Sequence, residues 1–235
     1  MRTQPSARPA ARSPRGTAGR SRLADATGLR PRILGAVLLA SLSAEASAYT
    51  LTLTPASPQT VYLQVGVGSF TKNYNAGGVP GNNTTMNVVS TSVAAAAVGN
   101  GTAQAMTTDS TAAASNLDGF VFCTVPGQLY IGGFYRTTGA TTAAARITAT
   151  VPASLVNASG STIPFSSIQW TSSGNGDAGV EVFPGGTFVN GGAQSIGSIA
   201  SNQWAESCWT FSYLNNTVPA AGTFTGRVLF TLSSP

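Results

Sequence analysis

Histidine is absent from the 235 residues, and charge of either sign is scarce: twelve Lys or Arg stand against seven Asp or Glu. Without an imidazole the chain has no Ser-His-Asp triad, no Cys-His nucleophile and no histidine-ligated metal. It also lacks a Walker A motif and a dinucleotide fingerprint. Its Gly-rich stretches fall between β-like runs rather than at strand-to-helix junctions, where a phosphate would be cradled. Only two cysteines occur, Cys123 and Cys208, with no C-x-x-C spacing and no neighbouring cation to lower a thiol pKa. The one uninterrupted apolar run, residues 33–42, is half the roughly 20 residues a membrane-spanning helix needs. These absences predict a protein with no cofactor, no stable membrane span and no enzymatic role.

The charge that exists is unevenly placed. Residues 1–48 carry eight basic residues and two acids, whereas residues 49–235 carry four and five. The formal +5 of the whole chain is therefore a property of its leader. Four cations cannot form a groove that tracks a phosphate backbone, which excludes nucleic acid as a partner. Within the leader, Arg30-Pro31-Arg32 precedes the apolar run Ile33–Leu42, and Ala46-Ser47-Ala48 follows it. A basic flank, an apolar core and a small-x-small site make residues 29–48 a signal peptide, cut between Ala48 and Tyr49. Residues 1–28 are Arg-, Pro- and Ser-rich and read as a disordered extension, or as upstream sequence before a true start near Leu29.

What is present in residues 49–235 is Thr, Ser, Ala, Gly, Asn and Val, a mixture that disfavours helix and favours strands and turns. Period-two alternation recurs: Leu51 and Leu53 between threonines, then Val61, Leu63, Val65 and Val67. Further runs lie near 84–94, 119–125, 128–135, 145–151, 163–171, 179–189, 194–199 and 207–214, and the last covers Thr223–Leu232. Turn signals such as Val125-Pro126-Gly127 and Pro184-Gly185-Gly186 separate them. About ten short strands of this spacing predict one antiparallel β-sandwich over 49–235, immunoglobulin-like or jelly-roll-like. Only the alanine-rich Ser92–Val98 is expected to curl into helix. Residues 90–116 offer little apolar area and read as a mobile loop or weak edge strand. Trp204, in the polar run Ser201–Glu206, is the candidate exposed aromatic.

In an exported chain the two cysteines predict a single Cys123–Cys208 disulfide between β-like runs. It closes a loop of about 86 residues, worth roughly 4–5 kcal/mol in the chain-entropy account. Asp177 and Glu181 are better read as solvated charges than as a hydrolytic pair. Residues 174–179 read as a hairpin turn rather than a calcium loop. The Asn-x-Ser/Thr sequons at Asn83, Asn100, Asn157 and Asn216 fit the chance frequency of so Asn/Ser/Thr-rich a chain.

The chain ends Ala221-Gly222-Thr223-Phe224-Thr225-Gly226-Arg227-Val228-Leu229-Phe230-Thr231-Leu232-Ser233-Ser234-Pro235, with Gly222 fourteenth from the end and alternating apolar residues after it. This ending resembles the last strand of chaperone–usher pilins and of the spore-coat-U-like proteins of archaic pili. Ser234 departs from their usual penultimate aromatic, and the two cysteines lie later than theirs. The resemblance implies a fimbrial-type subunit, exported through the periplasm of a Gram-negative bacterium to the cell surface or beyond. It further implies assembly by β-strand addition, homo- or hetero-oligomeric, with Leu51 and Leu53 as donor-strand residues. The alternative is a self-contained carbohydrate- or surface-binding module, with Trp204 stacking on its ligand. On that alternative, Tyr49–Pro55 is simply the first strand of a complete domain.

Overall fold

The computed structural model describes residues 50–71, 79–81, 85–139, 141–174 and 181–235. The expected leader and the Ala48–Tyr49 cleavage site lie outside the described residues, as do Asn83, Asn175 and Asp177. The first strands are β1 (Thr50–Thr52), β2 (Thr60–Val65), β3 (Phe70–Thr71), β4 (Val79–Pro80), β5 (Val89–Ser90), β6 (Gln104–Ala105), β7 (Thr107–Thr108) and β8 (Leu129–Arg136). They are followed by β9 (Ala145–Val151), β10 (Ser154–Val156), β11 (Thr162–Pro164), β12 (Ile168–Ser173), β13 (Gly186–Thr187), β14 (Gly192–Ile199), β15 (Gln203–Tyr213) and β16 (Leu229–Ser233). Every pairing among them is antiparallel, and the fold is the expected all-β sandwich. No helix among the described residues is long and apolar enough to cross a membrane.

One sheet runs β13-β12-β15-β8-β2, with β1 and β6 also paired to β15; the facing sheet is β14-β9-β16. Alternation drives their packing. From the larger sheet Ile131, Tyr135, Trp170, Ala205, Trp209 and Phe211 point inward. They meet Ile147, Ala149 and Val151 of β9, and Ile196 and Ile199 of β14. Phe230 and Leu232 of β16 pack on the same core, as their alternating positions predict. The final strand is shorter than the alternation suggests, however. From Thr223 to Val228 the chain touches its neighbours by strand pairing only through Thr225, opposite Val156.

The longest strand, β15, is the axis of the larger sheet. Along one edge it pairs β12 from Cys208 to Tyr213 and then β1 from Gln203 to Ala205. Along the other it pairs β8 from Gln203 to Ser207 and β6 at Ser212 and Tyr213. An asparagine in the left-handed conformation stands just beyond each end, Asn202 (φ 55°) and Asn215 (φ 52°). Asparagine tolerates that region because its short amide can bond locally. Asn202 accepts from the Thr137 N–H and donates to the Gly139 carbonyl, which fixes the corner where the chain passes from β14 to β15.

Asn215 explains the course of residues 95–105. Its Oδ1 accepts from the Gly99 N–H at 2.8 Å, and its Nδ2 donates to the Ala97 carbonyl at 2.8 Å and to Asn100 Oδ1 at 2.9 Å. The alanine-rich stretch makes one 3₁₀ turn, Ala95–Ala97, inside the range expected to curl. Of the two expectations for 90–116, a mobile loop or a weak edge strand, the structure follows the second in part, with β6 short and paired along β15. Thr108, Ser110 and Ser115 are buried, and β6 and β7 lie in this stretch. Apolar area is indeed small there, but polar contacts from a distant strand end hold it.

Replacing Asn215 by Ala removes these bonds and places a β-carbon in a left-handed position. The expected cost is about 2–4 kcal/mol, read by urea unfolding. Asn215→Gly keeps the backbone freedom and is expected to recover part of the loss; equal losses in both variants would mean that backbone strain plays no part.

Candidate functional site

On the outer face of the larger sheet, alternation places Tyr62 and Gln64 of β2, Tyr130, Gly132 and Phe134 of β8, and Trp204, Glu206 and Cys208 of β15. Register lines them up in rows. Tyr62 is opposite Phe134, which is opposite Trp204; Gln64 is opposite Gly132, which is opposite Glu206. A sheet with one solvated face would expose these positions. Here they are covered by described residues between β4 and β8, among them Ala112, Asn116, Leu117, Phe122 and Cys123, which form a third layer.

The first row is aromatic. Tyr62 and Trp204 stack at 6.0 Å, Phe134 lies 5.7 Å from Tyr62, and Phe70 meets Tyr62 edge-on at 4.9 Å. Leu53 is buried in this cluster and Leu51 packs at its margin. Trp204 is fully buried, so its assignment as an exposed stacking aromatic is wrong. Strand β15 starts at Gln203, earlier than the polar run 201–206 suggests, and period two then turns Trp204 under the third layer. Among the described residues Phe120 is an exposed aromatic, 55% accessible beside Val121.

The second row is polar. Glu206 is 3% exposed, and its Oε2 accepts from the Tyr130 hydroxyl and the Trp204 indole N–H, each at 3.0 Å. Gln64 accepts from the Tyr62 hydroxyl and from Asn116 of the third layer, and donates to the Gly66 carbonyl. Gly132 is needed between them, because a β-carbon there would come within 2.2 Å of the Tyr130 hydroxyl. Buried polar groups paired in this way specify an arrangement more than they add stability.

The disulfide joins Cys123 of the third layer to Cys208, with Cα atoms 5.5 Å apart, as expected from the two-cysteine count. Cys123, Cys208 and Tyr130 form a buried cluster of their own, with Phe122 and Ala112 packed on it. The bridge therefore anchors the covering layer to the central strand beside the Glu206 row. At the layer's other end Asp109 accepts from Asn87 and from the Val88 N–H; the Asn87 bond, then the backbone bond, hold its carboxyl below the usual range.

Leu51 and Leu53 sit in cis. Thr50–Thr52 pairs with β15 of the same chain, and the Leu53 N–H donates to the Asn202 carbonyl. Glu181 accepts from the Ser207 hydroxyl at 2.8 Å. No group of three or more metal-ligating side chains occurs among the described residues. Asn157 is buried, its Oδ1 accepting from Ser159 and Ser161, whereas Asn100 and Asn216 are exposed. The polar row was missed because no motif marks it; the signal was alternation continuing through Trp204-Ala205-Glu206 into Cys208. Compared with protein families, with characterised proteins and with solved structures, the chain matches none.

Burial pushes the Tyr62 phenol up to about 12, against a smaller opposing effect of the Asn116 bond. Burial, reinforced by the charge of Glu206, raises Tyr130 well above 10. Both phenols are raised by burial, so their contribution is complete below about pH 10, the unfolded value, and that of Tyr62 fades as pH climbs through about 12. An ultraviolet titration is expected to show Tyr62 and Tyr130 ionising only as near-UV dichroism collapses. Ionisation of all phenols near pH 10 in the folded protein would contradict this burial.

Proposed function

We propose that the protein is an exported structural or adhesive surface protein of a Gram-negative bacterium, acting by shape and adhesion rather than by catalysis. The Cys123–Cys208 bridge carries this reading, because it fastens a whole covering layer to the central strand and persists only in an oxidising compartment. The leader pattern, ending at Ala48, and a surface of hydroxyls and amides support it. The buried acid contributes to the same end: Glu206 is tied to Tyr130 and Trp204 and closed off from solvent.

A finer reading is a fimbrial-type subunit that assembles by strand addition. It draws support from β1, which spans three residues, follows β12 along the same edge of β15, and sets Leu51 and Leu53 against an aromatic socket. The same β1 supplied by a neighbouring copy would meet the same partners. The competing reading, a self-contained binding module, draws on the seating of β1 in cis and no longer involves Trp204.

Two experiments separate these statements. Expressed with its leader in a Gram-negative host, the protein is expected in the periplasm or medium, beginning at Tyr49 and oxidised at Cys123 and Cys208. A full-length, reduced cytoplasmic chain would overturn the export reading. Thr52 and Gln203 are opposite one another, so Thr52→Cys and Gln203→Cys variants can be oxidised after mixing. Disulfide-linked heterodimers are expected if strands exchange; an intrachain bridge confined to the double variant marks the self-contained module.

A further inference from the structure

The outer face of the β14-β9-β16 sheet carries short side chains in register: Ser198–Arg146–Ser233 in one row and Ser195–Thr148–Thr231 in the next. Solvated sheet faces are commonly studded with long charged residues of both signs. Within the strands of this one Arg146 is the only charged residue, beside Ser198 and Ser233, while the row farther along is Ala193–Thr150–Leu229 with Leu229 exposed. A bulge in β14 between Ser195 and Gly197 interrupts the pairing at that point, a device that often marks a site where a strand re-aims its side chains. Around it opens a dish of about 690 Å³, walled by Thr142, Pro184 and Ser234 and by parts of Ala143 and Ile196. That volume is within the range of about 300–1,000 Å³ typical of small-ligand sites. Among the described residues no Asp or Glu side chain lines it.

We infer that this dish binds an acidic glycan through a sugar carboxylate. Arg146 supplies a planar fork that takes a carboxylate in two hydrogen bonds. The hydroxyls of Ser195, Ser198 and Ser233 both donate and accept, which matches the ring hydroxyls of a sugar. Pro184 and Ala143 offer small apolar patches for its C–H faces. A single cation suits one carboxylate per sugar unit better than a phosphate group, which carries more charge. The site is independent of strand exchange and of the Glu206 row.

The test is calorimetric titration of the oxidised chain with trigalacturonate and sialyllactose, with maltotriose as the neutral control. At least one acidic sugar is expected to bind roughly tenfold or more tightly than maltotriose, and Arg146→Ala is expected to abolish that preference. Arg146→Lys, a point charge without the fork, should be intermediate. In the unaltered protein, amide shifts on adding the acidic sugar are expected at residues 142–146, 195–198 and 233–235, which keeps the test independent of how the variants fold. Failure of both acidic sugars to bind, equal binding of maltotriose, unchanged binding by Arg146→Ala, or shifts confined to other surfaces would each overturn the assignment.

Discussion

Strand β15 has to satisfy four directions at once, and the rest of the structure follows from how it does so. Its two edges are occupied over nearly their whole length by β12 and β1 on one side and β8 and β6 on the other. Its two faces are both buried. Ala205, Trp209 and Phe211 enter the sandwich core, while Trp204, Glu206 and Cys208 lie under the third layer. A strand in that position cannot lean on solvent for any polar group, so each must find a protein partner. Glu206 finds Tyr130 and Trp204, and the strand's ends turn on Asn202 and Asn215, whose side chains bond back into the neighbouring segments.

The third layer could not hold itself. Residues 90–116 have too few large apolar side chains to form a core, and the layer is attached by the Cys123 disulfide just beyond them, by the Asn116 bonds and by the Asn215 amide. Such attachment suits a molecule that works outside the cytoplasm, where a bridge survives and a stable shape is the useful property. It also accounts for the poverty of charge. Positions that would carry Lys or Glu on a solvated sheet are buried on one sheet and hydroxyl-bearing on the other.

Several elements were readable from residue order. Alternation located β2, β8 and β9 within a few residues, and the end though not the start of β16, and the two cysteines named their own partner. Turn chemistry predicted the breaks, and the alanine run predicted the 3₁₀ turn at Ala95–Ala97, but not the second at Phe165–Ser167, inside a run expected as strand. Misplacements had a common source. Period two says which residues share a face, but it does not say whether that face meets water or another layer. Trp204 was misplaced for this reason: it lies in a strand whose outer face is covered, whereas the exposed Phe120 lies beside the tip of a covering hairpin.

The sequence by itself determined the class of fold, the disulfide and the absence of imidazole chemistry, because these depend on composition, local periodicity and counting. Tertiary structure alone decided that β15 would be enclosed on both faces, that Gln64, Gly132 and Glu206 would share a row, and that Ser198, Arg146 and Ser233 would share another. Those rows join residues 35–142 positions apart, through registers that no local pattern encodes. They are fixed only when the sheets close around their common core.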